Sequence, residues 1–86
     1  MAKVWKITRW DGNESSPVGT LPGHFAESAI ANVLQRLLCR ELTVDEILRS
    51  SLRKDTENYS PLLERVGRGR PMSYGTNPHY SAEVEN

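Results

Sequence analysis

Cysteine, net charge and long apolar runs are all scarce in this sequence. Cys39 is the only cysteine, so no disulfide can form within the chain. Lysine and arginine number 11, and aspartate and glutamate number 11, which gives a formal net charge of zero. No run of about 18 apolar residues is present, so no membrane span is predicted, and we expect no membrane partner. Any basic surface for nucleic acid would therefore have to be local.

The N-terminal stretch also lacks the pattern of a signal peptide, because no basic segment is followed by an apolar run and a small-residue cleavage site. We therefore expect a cytoplasmic protein. The 86 residues suit one small domain, residues 1–86. A domain of this size buries only about 60–65% of its unfolded surface, so each amphipathic face has to be used. A face without a partner inside the chain would favour self-association.

Two segments alternate between apolar and polar residues as strands do. Residues 3–10 are rich in the Val, Ile, Thr and Trp that favour a pleated surface, with Trp5 and Ile7 on one face and Trp10 on the other. Residues 79–85 alternate in the same way. We predict that these two segments are strands and that they pair with each other.

Two amphipathic segments in the middle of the chain predict helices. The first, residues 25–40, repeats apolar residues with helical spacing at Ile30, Val33, Leu34, Leu37 and Leu38. The second, residues 44–54, begins at a capping box, in which Thr43 and Glu46 can each bond the backbone of the other. Its apolar stripe consists of Val44, Ile47, Leu48 and Leu52.

The remaining segments lack a long periodic pattern. Residues 11–24 predict a loop, within which residues 18–21 form a short strand in an alternative interpretation. Residues 61–66 predict a short helical turn that starts at a proline, and residues 67–78 predict a second loop. The fold prediction is α+β: a two- or three-stranded, mainly antiparallel sheet from the chain termini, packed on two central helices. The alternative is a mainly helical domain with extended arms.

Arg68, Gly69, Arg70 and Pro71 form the most distinctive motif. It resembles the core of an AT-hook, a motif that lies in the minor groove of A·T-rich DNA. The resemblance implies that Arg68 and Arg70 enter a narrow groove of strong negative potential. It covers four residues, and its flanks add only Arg65 as a further cation, whereas AT-hooks usually carry more. The alternative is a surface loop.

The helix pair also suggests a helix-turn-helix, in which the start of the second helix reads base edges. Here that start carries Val44, Asp45 and Glu46, and the two carboxylates would be repelled by phosphate. The sequence therefore favours a helical hairpin that packs on a sheet.

Residues suited to catalysis or metal binding are few. Cys39, His24 and His79 are separated by 15 and 40 positions, which matches no short-spaced zinc pattern. No glycine-rich phosphate loop is present either. We therefore predict that the protein is not an enzyme and uses no cofactor or metal.

The aromatic residues are the other binding candidates. Trp5 and Trp10 fall on opposite faces of one strand and cannot both enter the same core. One of them, with Tyr74 or Tyr80, would form an exposed aromatic patch of the kind found at interaction surfaces. The alternative is that the second face is covered by the loop 11–24 or by the C-terminal segment.

Taken together, these features predict a small non-enzymatic module, a regulator or inhibitor, that binds another protein or a second copy of itself. The residues predicted to bind are Trp5, Trp10, Arg68, Arg70, Tyr74 and Tyr80. The alternative function is DNA binding through the Arg68–Pro71 loop.

Overall fold

A computed structural model describes residues 3–67, 71–76 and 78–85 of the chain. The elements within these residues are β1 (Val4–Asp11), β2 (Glu14–Pro22), α1 (Glu27–Cys39), α2 (Val44–Ser50), a 3-10 helix (Pro61–Leu63), β3 (Met72–Gly75) and β4 (His79–Glu85). The strands form one antiparallel sheet in the order β2-β1-β4-β3. The fold class is therefore α+β, as the sequence predicts, and the alternative mainly helical arrangement is wrong.

β1 and β2 form a hairpin with a two-residue turn. Gly12, at the first turn position, has φ +63°, which is the left-handed region that glycine adopts without a steric penalty. This is the arrangement of a type II′ turn, whose twist matches that of the flanking strands. The register of the hairpin shifts between Ile7 and Thr8, where Val18 is the extra residue on β2.

β2 lies at a free edge of the sheet, and its prolines are placed to suit that edge. Gly23 N–H donates to the Lys3 carbonyl at 2.9 Å, and hydrogen-bonded and non-hydrogen-bonded pairs alternate along an antiparallel ladder. The next pair, which contains Pro22, is therefore a non-hydrogen-bonded one. The same alternation, counted from the pair next to the turn, makes the pair that contains Pro17 a non-hydrogen-bonded one as well. Both proline nitrogens thus face away from β1, where no donor is required.

β1 and β4 are the central strands of the sheet, although they come from opposite ends of the described chain. Val4 pairs with Glu85 at one end of the ladder, and Trp10 pairs with His79 at the other. The first face of the sheet packs against α1, which contributes Ile30, Leu34 and Leu38 to the core. The sheet contributes Trp5, Ile7, Met72, Tyr74, Tyr80 and Ala82.

The opposite edge strand, β3, is short and closely packed. Gly75 in β3 has φ +93°, and a Cβ there would lie 2.8 Å from Leu38 Cδ1, so glycine lets α1 approach the sheet. The outer side of β3 is covered by the backbone of residues 65 and 66. The Val66 N–H donates to the Ser73 carbonyl at 2.9 Å, and Arg65 forms an isolated antiparallel β-bridge with Tyr74.

The sheet has four strands instead of the two or three that the sequence predicts. The predicted loop 11–24 contains β2, and the predicted loop 67–78, part of which lies outside the described residues, contains β3. β2 is rich in Ser, Pro and Gly, residues that rarely form central strands but are tolerated at an edge. β3 is only four residues long, too short for a clear alternating pattern.

The two helices also differ in how they pack. α1 packs against β3 and β4, whereas the element that α2 contacts most is the 3-10 helix, and none of the α2 residues is buried. The prediction that both helices pack on the sheet is therefore wrong for α2. Within the described part of the chain, no helix has the length and apolar character that crossing a membrane requires.

Candidate functional site

The outer side of α2 carries a line of exposed apolar side chains. Val44 is 74% exposed, Leu48 is 62% exposed and Leu52, just after the helix, is 40% exposed. The spacing of four residues places Val44 and Leu48 one above the other on the helix, and Leu52 lies two residues after the last helical residue, Ser50. We call these three residues the α2 stripe. Five large apolar residues are exposed within the described ranges, and the other two, Val18 and Val66, lie outside this line.

The start of α2 is fixed by local hydrogen bonds. Thr43 Oγ1 accepts from the Glu46 backbone N–H at 3.2 Å, and a Glu46 carboxylate oxygen accepts from the Thr43 N–H at 2.9 Å. This reciprocal capping box stabilises the first turn without help from the core. Asp45 and Arg49 form an ion pair at 3.4 Å along one flank of the stripe. The stripe is therefore presented on a helix whose backbone is ordered locally.

The inner side of α2 faces the rest of the protein. Ile47 is half-buried, and the helix packs against the 3-10 helix. The Ser60 N–H also donates to the Arg49 carbonyl at 3.3 Å, which ties the following segment back to α2. These contacts set the orientation of α2, and they leave the α2 stripe directed away from the sheet.

A second candidate is the groove between β2 and α1, which opens because α1 packs mainly on the other half of the sheet. Its apolar part has a volume of about 170 Å³ and is lined by Ile7, Val18, Gly19, Thr20, Leu21, Val33 and Leu37. A more polar part of about 300 Å³ shares Val18 and Leu37 with it and also contains Arg9, Arg40, Glu41 and Tyr80.

Three polar side chains in this groove bond to one another. Glu41 Oε1 accepts from Arg9 Nε at 2.7 Å and from the Tyr80 hydroxyl at 3.0 Å. The hydrogen bond from Arg9, then that from Tyr80, lowers the pKa of Glu41 below its ordinary value. Burial, followed by the bond to Glu41, raises the pKa of Tyr80. The network connects β1, β4 and the end of α1, so we interpret it as structural.

The second face of the sheet, opposite α1, carries Trp10 and His79. Their rings stack with centroids 6.0 Å apart and an interplanar angle of 9°. Trp10 Nε1 donates to Ser81 Oγ at 2.9 Å, which ties the indole to the neighbouring strand β4. Trp10 is half-buried and Ser81 is buried. The pair therefore presents one fixed aromatic surface on this face.

The residues that the sequence predicts as a binding site are not brought together. Trp5, Tyr74 and Tyr80 are buried in the core, and Trp5 Nε1 donates to the Phe25 carbonyl at 3.0 Å. Trp10 lies on the other face of the sheet, next to a histidine and not next to either tyrosine. Arg68 and Arg70 lie outside the described residues, so the AT-hook interpretation stays a prediction.

Sequence reasoning missed the α2 stripe as a surface feature, since it assigned these residues to the core. The amphipathic pattern identifies the helix and its apolar side, but it does not say whether that side meets the sheet. The periodic pattern also predicts a helix over residues 44–54, whereas α2 ends at Ser50 and so has less length for packing than α1.

The residues considered for metal binding or catalysis are also separated. His24 contacts Phe25 edge-on with ring centroids 5.2 Å apart, His79 stacks on Trp10, and Cys39 is a half-buried free thiol. Over residues 3–67, 71–76 and 78–85, no group of three or more His, Cys, Asp or Glu side chains is placed to hold a metal ion.

The chain was also compared with known proteins. No protein-family model matches it, and comparisons with curated proteins and with solved structures give no match.

Proposed function

We propose that this protein is a small non-enzymatic interaction module, a regulator or inhibitor that binds a protein through the α2 stripe. The observation that carries the proposal is the exposure of Val44 and Leu48 on one side of α2, followed by that of Leu52 just after the helix. Single exposed apolar residues are normal on a protein surface, but a continuous line of them is typical of an interaction site.

The energetic argument rests on transfer of these side chains out of water. Complete burial of one Val or Leu side chain contributes about 1.5–3 kcal/mol relative to exposure. Three such residues in a line would together supply a substantial part of the free energy of a moderate complex, before the costs of association are subtracted. A helix with an apolar stripe can insert into a groove or pack on another helix, and both are common modes of recognition.

The polar groups support a non-enzymatic role. Strongly shifted pKa values often mark catalytic sites, but here each shift has a structural partner. Arg9 and Tyr80 bond Glu41, and the hydrogen bond from Tyr59, then that from Lys54, lowers the pKa of Glu64. These carboxylates connect separate segments of the chain, and so their shifted pKa values are accounted for by the fold.

The experiment compares the parent protein with Leu48→Lys and with Val66→Lys, a control that adds the same charge at a 52% exposed valine outside the α2 stripe. Each is used as bait with lysate of the source cells, and each is measured by light scattering over a range of protein concentrations. We expect Leu48→Lys to lose the captured protein or the concentration-dependent mass, and Val66→Lys to retain it. If Leu48→Lys matches the parent in both measurements, the proposal is wrong.

DNA binding through Arg68 and Arg70 stays a prediction. Its test is the affinity of the double variant Arg68→Ala/Arg70→Ala for A·T-rich duplex at several salt concentrations. Binding that equals the parent's would eliminate it, because minor-groove contacts by these side chains weaken with salt and vanish without them.

A further inference from the structure

We propose that the groove between β2 and α1 binds a small aliphatic carboxylate, with the hydrocarbon chain in the apolar part and the carboxylate at Arg40 in the polar part. The groove shares no residue with the α2 stripe. This ligand site is therefore independent of the proposed function, and its failure would leave the interaction module unaffected.

The groove exists because one helix cannot cover the whole sheet. Four strands about 4.8 Å apart span about 14 Å, whereas a helix with its side chains is about 10 Å wide. α1 packs on β3 and β4, so the first face of β1 and β2 stays partly open beside it. Ile7, which is buried, lies at the bottom of this opening.

The apolar part of the groove suits a hydrocarbon chain. Val33 and Leu37 line it from α1, and Leu21 lines it from β2. All three are only partly buried, so a ligand chain would remove more of their surface from water. The volume of about 170 Å³ is close to that of an apolar cavity of about 150 Å³ that holds benzene, a ligand of six carbons.

The apolar and polar parts of the groove meet at Val18 and Leu37, which line both of them. Val18 is the extra residue of the β2 bulge, and a bulge changes the direction in which a side chain points. One elongated ligand can therefore occupy both parts, with its chain beside Val18 and its polar group beyond it.

The polar part carries more positive than negative charge. Of its charged residues, Glu41 is bonded to Arg9 at 2.7 Å, so these two charges offset each other. Among the described residues, Arg40 influences Glu41 only through its charge and forms no ion pair. Asp11 lies 3.9 Å from Arg9 Nη1, but it is 62% exposed and does not line the groove. The complementary ligand is therefore an anion.

The chemistry of Arg40 favours a carboxylate as that anion. A guanidinium offers parallel N–H groups that match the two oxygens of one carboxylate. The Ser16 hydroxyl lines the same part of the groove and can donate a further hydrogen bond. A peptide strand fits less well, since Pro17 and Pro22 have no N–H to offer to a strand added at the β2 edge.

The first experiment titrates the protein with octanoate, octanol and octylammonium, which share one chain length and differ in charge. Nitrogen–proton correlation spectra give the dissociation constants and the amides that move. We expect octanoate to bind about tenfold more tightly than octanol, with octylammonium weakest, and shifts to concentrate at Val18, Leu37 and Arg40. Equal affinity for the three ligands would overturn the proposal.

Chain length tests the size of the apolar part. Burial of one methylene corresponds to about fourfold in affinity, so octanoate should bind several-fold more tightly than hexanoate. Decanoate should gain less than about twofold over octanoate, because the apolar part holds only about six carbons. An affinity that keeps rising at the same rate up to dodecanoate would show unspecific adsorption and contradict a defined site.

The second experiment changes the charge at Arg40. Arg40→Gln should weaken octanoate binding about tenfold and leave octanol binding unchanged. The matched control is Arg36→Gln, an exposed arginine of α1 that does not line the groove, and it should change neither affinity by more than about twofold. Octanoate binding by Arg40→Gln that equals the parent's would overturn the proposal.

A third variant tests the junction between the two parts. Val18→Asp places a carboxylate where the ligand chain has to pass, at a residue that is 45% exposed and so tolerates substitution. It should abolish detectable octanoate binding, whereas Val66→Asp, at an exposed valine away from the groove, should bind as the parent does. The same spectra show whether each variant is folded. Unchanged binding by folded Val18→Asp would contradict the proposal.

Discussion

Glu41 joins three separate segments of the fold. It follows α1, and its Oε1 atom accepts from Arg9 on β1 and from Tyr80 on β4. Two donors on one carboxylate oxygen favour the charged form, which explains why the pKa of Glu41 is lowered. Glu41 therefore stabilises the fold more when it is ionised than when it is protonated.

Glu41→Gln should therefore change the pH dependence of stability. Because the pKa of folded Glu41 lies below its ordinary value of 4.5, its contribution is complete above that value and is lost as the pH falls through the folded pKa. We expect the variant to be less stable by about 1 kcal/mol at pH 7 and to lose less stability between about pH 5 and pH 3. Urea unfolding across this range measures both effects.

Glu83→Gln is the matched control, since Glu83 is an exposed carboxylate on β4. It should leave the free energy of unfolding at pH 7 close to that of the parent. The pH dependence would not be due to the Glu41 network if Glu41→Gln and the parent lost stability in parallel on acidification.

At the scale of the elements, the two sheet edges are protected in different ways. β3 is short and has Arg65 and Val66 bonded along its outer side. β2 is long and mostly exposed, and Pro17 and Pro22 remove donors from its outer side. An edge with unpaired N–H groups is a template for pairing with another chain, and proline is a known means of blocking it.

Restoring these N–H donors should allow the β2 edge to pair with strands of other molecules. We expect Pro17→Thr/Pro22→Thr to raise the rate of aggregation several-fold, since threonine supplies both an outward N–H and a higher strand propensity. Turbidity and thioflavin fluorescence during incubation at 37 °C are the measurements.

The matched control is Ser16→Thr, which increases strand propensity at a neighbouring position whose N–H faces β1. It should aggregate no faster than the parent. Equal acceleration by the control and by the double proline variant would show that strand propensity, and not the missing donors, limits association.

The elements differ in how far the sequence predicts them. β1, β4 and α1 carry clear periodic patterns because each has one face in the core. β2 carries no such pattern, since only Leu21 among its residues is not exposed. Its strand conformation follows from pairing with β1, a contact between segments that local composition does not reveal.

In the candidate site, too, the sequence predicts the local features but not the contacts between distant segments. The capping box at Thr43 predicts where α2 begins, because capping depends on residues within one turn. Whether Leu48 is buried or exposed depends on how α2 is placed relative to the sheet, and the sequence pattern does not predict that placement. Trp5 and Trp10 show the reverse case, since alternation along one strand does predict that they face opposite sides.

At the scale of the whole molecule, stability is unevenly distributed. The sheet and α1 share a buried core, whereas α2 has no buried residue and residues 51–58 are exposed. Segments with few buried apolar contacts open locally at a lower free energy than the core. The part that carries the α2 stripe is therefore the least stable part of the described fold.

Hydrogen exchange at low protein concentration should show this difference. We expect amides of α2 to exchange at least tenfold faster than those of α1 and β4. Thr43→Ala, which removes a cap that contributes about 1 kcal/mol, should speed exchange in residues 44–52 alone. Ile30→Ala, the matched core variant, should speed exchange in both α1 and the sheet.

A different result would argue for a single cooperative unit. If Thr43→Ala accelerated exchange equally in α1, β4 and α2, opening of α2 would be coupled to the core. The stripe would then be displayed by a rigid surface, and its partner would meet a preformed helix.

The central strand pair has a consequence for how the molecule folds. Val4 and Glu85 are partners in the ladder but lie at opposite ends of the described sequence, so the middle of the sheet closes the longest loop in the chain. Contacts of such high sequence separation slow folding. A circularly permuted chain, with a linker joining β4 to β1 and new ends opened in the exposed segment 51–58, would convert this pair into a local hairpin and leave the β1–β2 hairpin intact. It would keep the same sheet and reach it sooner.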